Sequence, residues 1–213
     1  MTRYLYLARH GAAVDEDSGL TATGREQARL LGHRMAGVPL AAIHHSPLRR
    51  AVETAELVAG AHTDAAHTDA AHTDTTAHAD AVPLRPSELV GDLFPPVGDP
   101  PPAAFAEWVA GVPAAERETG ARLARAATAR FAVAAETVTH ELIVTHAFVI
   151  GWFVAQALGA PDERWLGLNH CNCAVTVIRY APGRPAALMV FNDQSHLPPA
   201  LRWTGFPPEL AVP

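Results

Sequence analysis

Lysine is absent from this chain, and all sixteen basic residues are arginine. Arginine offers a planar fork suited to phosphate or carboxylate, but a complete lack of lysine is read as codon bias of the source rather than as function. Positive charge is short overall. A net charge of −6 excludes a general polyanion binder such as a nucleic-acid protein and leaves room for a local basic pocket around a small anion. Cysteine is scarce too. Cys171 and Cys173 are separated by one residue at the mouth of an expected strand, where both side chains would point the same way; two thiols alone make a poor zinc site, so they are taken as ordinary reduced cysteines. No apolar run approaches the roughly eighteen residues that a membrane span needs, so no membrane role is expected. Nor is there an apolar signal region with a small-residue cleavage site ahead of Tyr4, and the expected compartment is the cytoplasm.

What is present is a chain of 213 residues, 49% of them hydrophobic, enough for one well-buried domain and short for two. The single domain is expected to span residues 1–213. Tyr4 to Ala8 is a short apolar run that ends in Arg9-His10-Gly11, a buried strand followed by a turn. Thr21 or Thr23 can cap a first helix reaching about Met35, and Thr23 with Glu26 matches a capping box. Leu40 to His44 forms a second strand. Ser46 as cap and Pro47 as first helical residue start a second helix, place Arg49 in its first turn, and carry it to about Ala59.

From 61 to 81 the text repeats Ala-His-Thr-Asp-Ala, bringing His62, His67, His72 and His78 with Asp64, Asp69, Asp74 and Asp80. These residue types ligate metals, but a five-residue period matches neither a helix nor a strand face, so the block is read as an expanded low-complexity loop. An extended course resumes at Val82. The proline-dense stretch from Phe94 to Pro102 is loop, and helices follow at about Ala103 to Ala110 and Ala114 to Glu136. Glu141 to Thr145 is a buried strand ending at His146, with an apolar helix from about Phe148 to Leu158. Two last strands, Cys173 to Tyr180 and Ala186 to Phe191, flank a Pro-Gly turn. Strands alternating with helices predict an α/β fold, a three-layer α/β/α sandwich around a mainly parallel sheet.

An isolated Arg-His pair fits a surface turn. Here, however, Arg9 and His10, then Arg49, then His146 all fall at strand ends or in a helix first turn. Converging on one sheet edge, they would form a site for a dianion, and phosphate fits best. A neutral imidazole can attack phosphorus while a second imidazole stabilises the transferring oxygens, without any metal.

The order of Leu7-Ala8-Arg9-His10-Gly11, Leu20-Thr21-Ala22-Thr23-Gly24 with Gln27-Ala28, Ser46-Pro47-Leu48-Arg49-Arg50-Ala51 with Thr54-Ala55, and Val144-Thr145-His146 resembles the histidine phosphatase superfamily, the phosphoglycerate mutase-like proteins, in its small phosphatase branch. The resemblance implies that His10 is the nucleophile and forms a phosphohistidine, that Arg9, Arg49 and His146 grip the phosphoryl oxygens, and that an acid from the region after the second helix protonates the leaving alkoxide. Glu88 is the expected acid, although Leu84-Arg85-Pro86-Ser87-Glu88 is looser than the family's Leu-x-Glu element; Asp92 is the reserve. Thr145, the backbone amide of Ala147, His170 and Asn172 are further expected contacts, and Phe105 and Trp108 are placed to cover the pocket and favour a bulky or apolar substrate. No metal and no cofactor is implied. The expected partner is a small phosphorylated substrate, with a homodimer left open. The expected activity is phosphomonoester hydrolysis on a small metabolite. The alternatives are a cofactor-dependent phosphoglycerate mutase, whose Ser and Asn positions after Arg-His-Gly are lacking in Ala12 to Glu16, and a phospho-ligand binding module without turnover.

Overall fold

The structure, a computed structural model, describes residues 1–15, 18–70, 81–207 and 210, those at 65–70 as backbone only. Its strands are β1 (Arg3–Arg9), β2 (Leu40–His45), β3 (Leu84–Pro86), β4 (Thr139–Thr145), β5 (Val175–Tyr180) and β6 (Ala187–Asp193). Its helices are α1 (Ala22–Met35), α2 (Arg49–Ala70), α3 (Ala106–Gly111), α4 (Ala114–Phe131) and α5 (Ala147–Ala157). The strands form a six-stranded sheet in the order β3-β2-β4-β1-β5-β6. The pairings β1–β4, β2–β4 and β2–β3 are parallel, whereas β5 runs antiparallel to both β1 and β6. The antiparallel pair follows from a short hairpin turn, in which Gly183 takes φ +65°, a conformation open to glycine at little cost.

Alternation along the strands sorts the core into two layers. Ala8, Leu142 and Val144 face α1 and α2, meeting Ala28, Leu31, Met35 and Val58. Leu5, Leu7 and Ile143 face the other way, against Phe131, Ile150 and Phe153 of α4 and α5. Fully buried side chains of this size each contribute about 1.5–3 kcal/mol, so both sheet faces are strongly committed and the register of β1 against β4 has little freedom. That register pairs Arg9 with Thr145, which brings the C-terminal ends of the two central strands level.

Three expectations shift, the first being that α4 ends at Phe131 rather than near Glu136. The second helix does not stop near Ala59: α2 continues to Ala70, so the first ten residues of the repeat are helix rather than loop. Alanine is the strongest helix former and nothing from Ala61 to Ala70 breaks the turn. Ala61 and His62 are buried, and Nε2 of His62 lies 3.0 Å from the Val38 carbonyl. The rest of the repeat, 71–80, lies outside the described residues. The last pair of strands also starts later than expected, at Val175, because Cys173 sits at φ +53°; both cysteines are buried and free, ahead of the strand.

Candidate active site

The end of β1 is shaped by two glycines. A Cβ on Gly11 would stand 2.5 Å from the Gly24 carbonyl oxygen, and one on Gly24 would stand 2.1 Å from that of Ala12. Only backbone meeting backbone fits there, so α1 closes directly onto the turn after His10. Thr21 caps α1 by accepting the Gly24 amide at 3.0 Å. The turn is then tied on all sides: the Gly11 amide donates to Thr54 Oγ1 at 3.0 Å and the Ala12 amide to Gln27 Oε1 at 2.9 Å. Asn172 Nδ2 donates to the His10 carbonyl at 2.7 Å.

With the backbone held, the His10 ring is oriented by its own hydrogen bonds. Nδ1 lies 2.8 Å from the Gly11 carbonyl, and since a carbonyl only accepts, Nδ1 carries the proton and Nε2 keeps its lone pair. Nε2 receives Arg50 Nε–H at 3.2 Å. Burial, followed by the neighbouring His146 and Arg9, pushes His10 down to about 2, so the ring is neutral at ordinary pH. His146, whose ring centre is 5.1 Å away, is held down to about 3 by burial and then by Arg50 and Arg9. Its Nε2 lies 2.9 Å from Ser46 Oγ, which turns Nδ1 toward Asp92, 3.4 Å away.

The second arginine of the site is Arg50, not Arg49. Arg50 is 4% exposed; Nη2 donates to Asp92 Oδ2 at 2.7 Å and lies 3.4 Å from Nδ1 of His146. Arg49 has a side chain 70% exposed, paired with Glu53 at 2.9 Å, and does not line the cavity. Successive helical residues diverge by about 100°, so only one of the two can face the sheet edge. The signal was present in the sequence: Arg50, Thr54 and Val58 continue the buried line, while Arg49 and Glu53 make an exposed i,i+4 pair.

Glu88 is likewise displaced. It opens a one-turn 3₁₀ helix, Glu88–Val90, in which Val90 is buried and its carbonyl accepts Thr145 Oγ1 at 2.7 Å. With Val90 facing in, Glu88 is exposed. Thr145 is occupied by this fold contact. Asp92, two residues beyond the turn and with a side chain 40% exposed, lines the cavity instead, and partial desolvation raises its carboxyl against the pull of Arg50 and Arg9.

Arg9 is anchored at Nη1 by the carbonyls of His170, at 3.0 Å, and Gly205. The last of these comes from the C-terminal segment, where Gly205 adopts φ +103° and a Cβ would meet the Arg9 guanidinium. Gln27 Nε2 fastens the same segment through the Leu201 carbonyl at 2.8 Å and Thr204 Oγ1 at 2.9 Å. Asn172 and His170 thus support His10 and Arg9 from behind and do not line the main cavity. That cavity, of about 370 Å³, is lined by Arg9, His10, Ala13, Asp15, Arg50, Asp92, His146, Ala147 and Phe148. Ala147 is the first residue of α5, so a helix N-terminus joins two guanidinium groups and two neutral imidazoles around one space, groups matched to a phosphoryl dianion, with the carboxyls of Asp15 and Asp92 in the same wall.

Comparison with known proteins shows what the chain as a whole is similar to. The model of the histidine phosphatase superfamily (branch 1) matches residues 5–75 and 98–193. The chain is 31% identical over 214 aligned positions to the mouse serine/threonine-protein phosphatase PGAM5, mitochondrial, with 93% of this chain and 65% of that protein covered. It therefore spans about two thirds of that relative's length. Among solved structures, YhfR of Bacillus stearothermophilus is 26% identical with a TM-score of 0.65, covering 91% of this chain and 98% of its own. The alpha-ribazole phosphatase of Shigella flexneri, 19% identical with a TM-score of 0.59 over 89% of this chain and 96% of its own, shares the fold. Among the described residues no helix is long and apolar enough to cross a membrane.

Proposed function

Because the chain belongs to the histidine phosphatase superfamily (branch 1), we propose that it is a metal-independent phosphomonoester hydrolase acting on a small phosphorylated metabolite through a phosphohistidine at His10. The observation that carries this reading is the orientation of His10: Nδ1–H bound to the Gly11 carbonyl and Nε2, unprotonated, beside Arg50 in the cavity. In the first step Nε2 bonds to phosphorus as the ester P–O bond breaks. Arg9, Arg50, His146 and the Ala147 amide face the charge spread over the three equatorial oxygens. The leaving alkoxide takes its proton from Asp92, whose raised affinity for a proton suits an acid. In the second step water attacks phosphorus, Asp92 takes back a proton, the N–P bond breaks, and His10 returns to its neutral form with inorganic phosphate released.

A mutase would have to hold a second anionic group of a bisphosphate. The cavity wall beyond the phosphoryl groups offers Ala13, Asp15 and Phe148, and Arg49 is turned away onto Glu53, which supports hydrolysis over isomerisation. The test is turnover of p-nitrophenyl phosphate, O-phosphoserine and a phosphoserine peptide, set against isomerisation of 3-phosphoglycerate; the peptide is included because the mouse relative is named a protein phosphatase. Labelled substrate should leave an acid-labile, alkali-stable adduct on the wild type and none on His10→Ala. Isomerisation with little hydrolysis would move the assignment to a mutase, and an absence of both adduct and turnover would move it to a binding module.

A further inference from the structure

Beyond the groups that face a phosphoryl group, the cavity wall consists of Ala13, Ala147, Phe148 and one carboxylate, Asp15. Phe148 is 37% exposed, although the residues that follow it in α5, Val149 to Ala155, are all buried. Trp108 of α3 is 43% exposed and meets Phe148 edge-on, with ring centres 5.7 Å apart. Both rings rest on a buried base. Trp165, 1% exposed, lies 4.9 Å from the Phe148 ring and donates its Nε1–H to the Pro96 carbonyl at 2.8 Å. Phe94, 5% exposed, lies 5.3 Å from the Trp108 ring.

Phe148 lines the cavity, and Trp108, partly exposed and packed edge-on against it, adds to that apolar surface beyond the lining residues; an apolar surface beside a charged one is the composition of a site that takes a ligand with a polar head and an apolar body. Asp15 adds a sign. Its oxygens accept the Ser18 amide at 2.6 Å and the Ser18 hydroxyl at 2.8 Å, so the carboxylate is held in the wall, where it repels a second anionic group on the substrate. Resting on the phosphatase reading, we infer that the preferred substrate is the phosphate monoester of an uncharged aromatic alcohol, its ring packed against Phe148 and Trp108.

Phosphate esters of alcohols with similar basicity isolate the ring from leaving-group chemistry. The comparison is 2-phenylethyl phosphate, ethyl phosphate and 3-phosphoglycerate. For the wild type, kcat/KM on the phenylethyl ester is expected to exceed that on the ethyl ester by about tenfold or more, with 3-phosphoglycerate the poorest of the three. In Trp108→Ala the phenylethyl-to-ethyl ratio falls to about 2–3, while Trp108→Phe keeps most of it. Asp15→Asn improves 3-phosphoglycerate relative to ethyl phosphate. Should Trp108→Ala melt early, competition by 2-phenylethylphosphonate against ethylphosphonate on the wild type makes the same comparison, with the aryl compound expected to bind about tenfold tighter. Equal rates on the phenylethyl and ethyl esters, equal inhibition by the two phosphonates, or 3-phosphoglycerate as the best substrate, overturns the substrate class but leaves the phosphatase standing. No turnover of any ester together with no adduct at His10 overturns both.

Discussion

Replacing Arg50 by alanine should cost activity heavily, whereas the same change at Arg49 should cost little. Arg50 is 4% exposed and joins three groups of the site, reaching the His10 Nε2 at 3.2 Å, the Asp92 carboxylate at 2.7 Å and the His146 Nδ1 at 3.4 Å. Its loss removes a donor aimed at the charge of the transferring phosphoryl group, an effect of about 10²–10³ in kcat where single such donors have been deleted. It also removes the nearer of the two cations that hold the Asp92 carboxyl down, which raises that carboxyl further. The combined loss in kcat/KM should be about 10³, with Arg50→Lys recovering only part because an ammonium cannot reach two groups as a planar fork does. Arg49 makes an exposed pair with Glu53, worth about 0.3–0.5 kcal/mol at such a position, so Arg49→Ala should stay within about threefold of wild type. The assay is hydrolysis of p-nitrophenyl phosphate with the burst of labelled adduct followed in parallel, on variants whose thermal melts match the wild type. A hundredfold loss in Arg49→Ala with Arg50→Ala near wild type would refute the placement of these two side chains.

Asp92→Asn should slow esters of basic alcohols far more than p-nitrophenyl phosphate, whose leaving group needs no proton, while Glu88→Gln changes neither by more than about twofold; the reverse pattern would restore Glu88 as the acid. The rate on alkyl esters should fall as pH rises through the raised Asp92 ionisation, and Asp92→Asn should remove that alkaline limb from the kcat profile. Stability should depend on pH through His10, His146 and His170, held at about 2, 3 and 3 in the folded chain but near 6.5 when unfolded. The unfolded chain then binds protons that the native chain does not, so stability is full above about pH 6.5 and declines as the solution is acidified, by up to about 1.4 kcal/mol per pH unit for each histidine. Urea titrations between about pH 7.5 and 5 read this slope, which His170→Asn should reduce; a slope unchanged in that variant counts against it. Gly24→Ala should destabilise by about 1–3 kcal/mol and depress turnover, since the added carbon would stand 2.1 Å from the Ala12 oxygen; urea midpoints equal to wild type would show that α1 does not press on the nucleophile turn.

How much of this was legible in the sequence depends on what sets each residue's place. His10 and His146 were legible because each ends an apolar strand, and two parallel strands buried on both faces have little choice of register; Arg9 opposite Thr145 is the result. Arg50 was missed because the Ser46-Pro47 start signal assigns the helix an origin two residues too early. The helix begins at Arg49, and two residues are about 200° of rotation, enough to exchange the arginine that faces the sheet edge with the one that faces water. The buried line Ala51, Ala55 and Val58 fixes that phase better than the cap does, since packing of an apolar stripe outweighs a single capping bond. Asp92 and Glu88 carry no such periodic signal. Their exchange turns on whether Val90 or its neighbours fill the space under β4, and the Thr145 hydroxyl, bound to the Val90 carbonyl at 2.7 Å, settles it from fifty-five residues away. Which carboxyl reaches the cavity is therefore set by a core contact rather than by its own motif. Thr145→Val, which removes the hydrogen bond but keeps the shape, should loosen the 3₁₀ turn and impair the acid step while leaving formation of the adduct from p-nitrophenyl phosphate nearly intact; loss of both in equal measure would show that Thr145 acts on His10 instead.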